Sequence, residues 1–153
     1  MGTRSRIGVM HGDVCKSVYC HWDGYLSHNG RILQENYNSS QANELVAMGD
    51  ISSLGRLIGE KHPFSPWASA EDKVAHEAAD AAGWTTFYNR DRGETGSEFT
   101  TDLTFDSFLY RVDECGAEYY YIMRDGEWYT GCPDKGSRLV LLREALAGEA
   151  QAA

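Results

Sequence analysis

Hydrophobic and polar positions alternate along the first part of the chain. Ile7 and Val9 alternate with Arg6 and Gly8, and beyond His11-Gly12-Asp13 the residues Val14, Val18, Cys20 and Trp22 share one parity. A period of two on both sides of a glycine turn predicts a β-hairpin over residues 3–10 and 14–22. Residues 118–130 predict a second hairpin more sharply. Their Asp125-Gly126 dipeptide suits a type I′ turn, which sets Met123 opposite Trp128 and Arg124 opposite Glu127. Residues 84–88 (WTTFY) have the β-branched and aromatic composition of a lone strand.

Elsewhere the period lengthens to that of a helix. Phe105, Phe108, Leu109 and Val112 fall at i, i+3, i+4 and i+7, a core-facing helix closed by Gly116. Ser69 and Asp72 have the spacing of a capping box ahead of an alanine-rich helix that ends at Gly83. Asn29 or Gly30 opens a turn carrying Ile32, Leu33 and Tyr37, and Ser40 precedes a helical run that stops at Gly49. A short helical piece over 54–58 ends at Gly59, and a last helix from Arg138 to about Ala147 aligns Leu139, Leu142 and Leu146. Two of the three prolines fall in residues 62–69, which predicts a loop anchored by Phe64 and Trp67.

The expected fold is α+β: a mostly antiparallel sheet of about five strands, from two hairpins and one strand, with several short helices on one face. With 153 residues, no linker and no repeat, the chain reads as one domain, 1–153, whose tail from about 148 frays. The second hairpin holds Tyr119, Tyr120, Tyr121, Trp128 and Tyr129. Alternation divides them between two faces, so either helices cover both faces or one aromatic face is exposed as an interface with a partner or a second copy of the chain.

Charge narrows the function classes. The net charge of −9 disfavours direct nucleic-acid binding, which needs Lys and Arg against phosphate. Residues 91–118 hold eight acidic and two basic side chains, either a solvated face or a surface that competes for a basic protein. No apolar run is long enough to span a bilayer, and the first residues carry neither a secretory core nor a myristoylation pattern, so a soluble cytoplasmic protein is expected. The four cysteines form no C-x-x-C pair. Cys15 and Cys20, five positions apart on one strand, face opposite sides, so neither a zinc site nor a disulfide is expected.

The richest chemistry lies in YCHWDGYLSHNG, residues 19–30. Cys20 and His21 are neighbours on a strand and point apart, which forbids a direct dyad, and no nucleophile elbow, P-loop or H-E-x-x-H pattern is present. Catalysis through His21, Asp23 or His28 therefore ranks below binding. Parity puts Cys20 and Trp22 with the core and leaves Tyr19, His21 and Asp23 on the other face. A ligand site for an anionic small molecule would combine Tyr19, His21, Asp23 and Tyr25 with Arg90, Arg92 and Glu94 of the glycine-containing loop 89–96. Two guanidinium groups there would take a phosphate and the aromatic rings a base. A partner-protein surface would use Tyr120, Trp128 and Tyr129 with the acidic Asp102 and Asp106.

The opening MGTRSRI, the YCHWDGY segment with Gly30 to Tyr37 after it, the GDISSLG stretch from Gly49 and the Tyr88-x-Arg90-Asp91-Arg92-Gly93-Glu94 loop together resemble a group of small phage- and prophage-encoded proteins. The resemblance covers about the first 95 residues. No activity is established for the group, so no residue roles carry over. It implies a phage accessory protein in the host bacterial cytoplasm that counters a defence system by non-catalytic binding of a host protein, a nucleic-acid-binding one included. The alternatives are sequestration of a nucleotide-type immune signal (a cyclic nucleotide or ADP-ribose derivative) and a small hydrolase or nucleotide-processing enzyme. No cofactor or metal is expected.

Overall fold

A computed structural model, which describes residues 2–132 and 138–152, builds the chain around its first hairpin. Strands β1 (Ser5–His11) and β2 (Val14–Cys20) pair antiparallel from Ser5 opposite Cys20 to His11 opposite Val14. Gly12 takes the positive φ of 62° that the tight connection requires.

Three further strands extend the sheet beyond the β2 edge. β3 (Ile51–Ser53) joins β2 in parallel at Cys20, and β4 (Thr86–Phe87) pairs antiparallel with β3. β5 (Thr100–Asp102) takes the other end of the same β2 edge, opposite Cys15, Lys16 and Ser17.

On the other side, β1 pairs in parallel with β6 (Tyr119–Arg124), from Ser5 opposite Tyr119 to Val9 opposite Met123. β6 turns through Asp125 and Gly126, at φ 52° and 79°, into β7 (Glu127–Gly131), with Met123 opposite Trp128 and Arg124 opposite Glu127. Both central residues lie in the left-handed region, as a type I′ turn demands. β8 (Val140–Leu141) pairs with β7. The order is β4-β3-β2-β1-β6-β7-β8, with β5 on β2.

The fold is α+β, but the sheet is larger than expected, and it is mixed rather than mostly antiparallel. The unexpected strands are two or three residues long, too short to show a period. The parallel β1–β6 pair joins segments more than a hundred residues apart, which no local pattern encodes.

Helices also cover both faces, not one. α4 (Phe105–Glu114) lays Phe108 and Val112 on Met10, Cys15, Tyr120 and Ile122. On the opposite face α1 (Arg31–Asn36), α2 (Ser39–Ala47) and the last helix, α5 (Leu142–Ala152), bring Leu33, Leu45 and Leu142 against Ile7, Val18, Tyr121 and Met123. That double cover accommodates the aromatic hairpin. Tyr120 meets Phe105 and Phe108 edge-on, with centroids 6.4 and 5.7 Å away. Tyr121 donates its hydroxyl to the Gly24 carbonyl, and Trp128 donates Nε1–H to the Tyr37 carbonyl.

Three expected boundaries change. Asn38, not Ser40, caps α2, because its side chain and that of Gln41 satisfy each other's backbone N–H groups. Residues 54–58 form no helix. Leu57 bridges to Trp84, and Gly55 approaches the Gly83 carbonyl more closely than a Cβ would allow. The last helix starts at Leu142, because Val140 and Leu141 are taken up by pairing with β7. It runs through the alanine-rich end to Ala152, and Ala153 lies outside the described residues.

The helix between β3 and β4, α3 (Ala70–Ala82), follows the sequence closely. The Ser69 hydroxyl accepts the Asp72 N–H, and Gly83 ends the helix at φ 77°. In the whole of α3 only Ala79 is buried.

Candidate functional site

A cleft of about 250 Å³ opens where β3 and β4 meet the end of β2, roofed by loop 57–69 and α3. Trp22 comes from the run-out of β2, Ser52 and Ser53 from β3, Thr86 from β4, and Trp84 from just before it. The loop contributes His62 and Phe64, α3 contributes His76 and Asp80, and the turn after β4 contributes Arg92.

Three aromatic rings therefore line a space slightly below the usual range for small-molecule sites. Trp84 is seated firmly. The His62 ring packs beside it at 5.8 Å, and Gly59 (φ 68°) lies so close that a Cβ there would run into the indole. Trp22 stands 43% exposed at the mouth, its ring edge-on to His21 at 4.7 Å.

Arg92 supplies the cationic edge. Its guanidinium stacks between the Phe64 and Tyr88 rings, 5.1 and 5.0 Å from their centroids, while Nε donates to Glu94 at 2.8 Å. Nη1 and Nη2 make no hydrogen bond to another described residue, so the outer fork of the guanidinium remains for an incoming anion. His21 reports the same electrostatics. Burial, followed by the charges of Arg4 and Arg92, holds its pKa below the ordinary histidine value. The Tyr19 hydroxyl is bonded to His21 Nδ1 at 2.7 Å. An NMR titration of His21 should give a midpoint below that of a free histidine, and Arg92→Ala should move it upward. An unmoved midpoint would show that Arg92 does not act on this ring.

Arg90, two residues away, faces inward. Its Nε donates to Asp91 at 3.0 Å, Nη1 to the Gly59 carbonyl at 3.0 Å and Nη2 to the Thr85 carbonyl at 2.9 Å, with the guanidinium 4.7 Å from the centroid of the Phe87 ring. Asp91 is the hub of this arrangement. Its side chain is fully buried and also accepts the backbone N–H groups of His62 (3.1 Å) and Phe87 (2.8 Å). The pair ties loop 57–69 to β4 and so fixes the roof of the cleft. His62 is likewise engaged, with Nδ1–H on the Glu60 carbonyl at 2.8 Å and Nε2 3.1 Å from Thr86 Oγ1.

The other residues singled out from sequence divide. Tyr19 and His21 adjoin the Trp22 side of the cleft, and Glu94 holds Arg92. Tyr25 pairs with His28 at 5.9 Å beside the π-helical turn Leu26–Gly30, and does not line the cleft. Asp23 takes a left-handed φ of 56° in the turn, where its carbonyl accepts the Asn29 N–H.

Of the residues expected to contact a partner, Tyr120, Trp128 and Asp102 are buried. Asp102 accepts two hydrogen bonds from Arg111, at 2.8 and 3.1 Å, and one from Ser107. Burial alone would raise the pKa of its carboxyl, but these donors and the Arg111 charge hold it below the ordinary aspartate value. Asp106 is exposed, and Tyr129 is half-buried beneath Arg124.

Nucleophilic chemistry has little to draw on. Burial pushes Cys15 and Cys20 up to about 12, and at Cys20 it outweighs the opposing effect of Asn29, whose Nδ2 donates to its Sγ at 3.3 Å. A thiol reagent at pH 8 should therefore modify no more than two cysteines per folded chain, Cys115 and Cys132, and all four after unfolding. Rapid modification of four in the folded protein would contradict this burial. Among the described residues, no three His, Cys, Asp or Glu side chains gather as a metal site requires, and no helix is long and apolar enough to cross a membrane.

Sequence reasoning missed Trp84, His62, His76 and Asp80 as site residues. A signal was present: His76 and Asp80 sit one turn apart on a helix whose apolar positions, Val74 apart, are all alanine. Comparison of the chain with protein families, curated proteins and solved structures finds no match.

Proposed function

We propose that this chain is a non-catalytic binding protein that holds an anionic, ring-bearing small molecule of the nucleotide class in the aromatic cleft. One observation carries the reading: the unengaged outer fork of Arg92 stands at the edge of a cleft lined by Trp22, Phe64 and Trp84. A guanidinium takes phosphate in a bidentate fashion, and base-on-aromatic stacking adds about 1–3 kcal/mol per base. Two groups that catalysis could use favour storage over turnover, since His62 is engaged at both nitrogens and Cys20 is buried with a raised pKa. On the resemblance to phage-encoded proteins, the role is sequestration of a nucleotide signal that a host defence system depends on.

Incubation with cyclic, ADP-ribose-type and simple mononucleotides, followed by desalting and denaturation, tests this. Release of intact ligand supports storage, release of degraded ligand assigns an enzyme, and retention of none rejects both.

A second reading, binding of a basic host protein, is favoured by a different surface. Leu103 and Tyr110 stand 72% and 70% exposed on and beside α4, next to the exposed Asp106, Asp113 and Glu114. Tyr110→Asp should abolish capture of such a partner. Unchanged capture would exclude this face.

A further inference from the structure

α3 poses a question that its packing does not answer. Thirteen residues of helix bury a single alanine, so core formation does not account for it. What α3 does is carry two polar side chains to the cleft. His76 and Asp80 lie one turn apart on the same helical face, and both line the cavity that also holds Arg92.

His76 is set in position by its Nδ1–H, which donates to the Pro63 carbonyl at 3.0 Å and leaves Nε2 as an acceptor in the neutral ring. The Asp80 carboxylate makes no hydrogen bond or ion pair with another described side chain, and as an acceptor-only group it seeks donors. The cleft thus brings together a donor fork at Arg92, a pair of acceptors on α3 and the aromatic rings of Trp22, Phe64 and Trp84.

We infer that the ligand is a ribonucleotide, its phosphate on Arg92 and its ribose hydroxyls on Asp80 and His76. This inference rests on the reading of the cleft as a nucleotide site and adds the end of the ligand that the reading leaves open. A carboxylate that accepts from a ribose hydroxyl is the device by which dinucleotide-binding βαβ folds hold the sugar. The same negative charge disfavours a second phosphate at the 2′ or 3′ position. A bare inorganic anion uses Arg92 alone and leaves Asp80 unanswered.

The test compares adenosine 5′-monophosphate with its 2′,3′-dideoxy counterpart by calorimetry, in the wild type, Asp80→Asn and Arg92→Ala. The wild type should prefer the ribonucleotide by about tenfold or more, the scale of lost charge-assisted hydrogen bonds. Asp80→Asn should bind both and reduce the ratio several-fold. The exposed position of Asp80 on α3 makes the substitution safe for folding, and an unchanged melting temperature checks this. If the wild type binds both equally while Arg92→Ala loses both, this inference fails and the cleft reading stands. A ribose preference undiminished in Asp80→Asn also overturns the inference. If the wild type binds neither of these nor any cyclic or ADP-ribose-type nucleotide, the inference and the reading fall together.

Discussion

Asp91→Ala should lower the melting temperature by about 10–15 °C and loosen the roof of the cleft before the rest of the fold. The Asp91 side chain is fully buried and answers three donors: the backbone N–H groups of His62 and Phe87 and the Nε of Arg90. Removing it leaves Arg90, only 14% exposed, as a largely buried cation without its carboxylate. Breaking a buried pair in this way costs about 3–5 kcal/mol, and in a chain of this size each kcal/mol is worth roughly 2–4 °C.

Asp91→Asn keeps the shape but turns one acceptor into a donor that faces an N–H, so it should cost most of the same amount. Arg90→Ala should be nearly as damaging, because the Gly59 and Thr85 carbonyls lose their donors as well as Asp91 losing its partner. Thermal unfolding of the three variants checks the set. Melting points within 3 °C of the wild type would show that the pair does not hold the loop.

Arg92→Ala should do the reverse: leave the melting temperature within about 3 °C and weaken nucleotide binding roughly 10- to 100-fold. The side chain is one-third exposed, and its ion pair with Glu94 is of a kind that contributes about 0–1 kcal/mol. Its two ring contacts are partly solvated and add little more. A hydrogen bond to a charged group is worth about 1.5–3 kcal/mol, and 1.4 kcal/mol is a factor of ten. Arg92→Lys keeps the charge but not the fork, so it should recover only part of the affinity. Glu94→Gln removes a carboxylate beside the anion and should tighten binding. Equal affinity across wild type, Ala and Lys would remove Arg92 from the site, whatever the cleft holds.

These two arginines show what the sequence could and could not disclose. At i and i+2 in one glycine-containing loop they look equivalent. Their difference arises from the fold, which brings the Gly59 and Thr85 carbonyls to Arg90 and the Phe64 ring to Arg92. The β6–β7 hairpin was legible to the residue because Asp125-Gly126 and the alternation around it are local signals. Its neighbour β1 was not, because a parallel partner is chosen by the whole sheet. The fate of the hairpin aromatics turned on that choice: a central position with helices on both faces buries Tyr120, Tyr121 and Trp128, where an edge position would have left one face open.

Around YCHWDGY, parity correctly separated Cys20, in the core, from Tyr19 and His21, which share a hydrogen bond on the other side. Trp22 did not follow its parity. Beyond the end of β2 the backbone N–H groups of His21 and Trp22 bond to the Ile51 and Ser52 carbonyls, and Trp22 emerges at the cleft. α3 was legible as a helix from its caps. Its purpose lay in its lack of large apolar side chains, Val74 apart, a signal that periodicity analysis reads only as weakness.

The most direct test of the nucleotide cleft is a tryptophan-emission titration, because Trp22 and Trp84 line it and a stacked base should quench them. Titrated with the four ribonucleoside 5′-monophosphates, cyclic mononucleotides and ADP-ribose, the wild type should show saturable quenching by at least one ligand at one per chain, and Trp22→Phe should lose a large part of that signal. Emission unchanged by every ligand up to millimolar concentration would contradict the account.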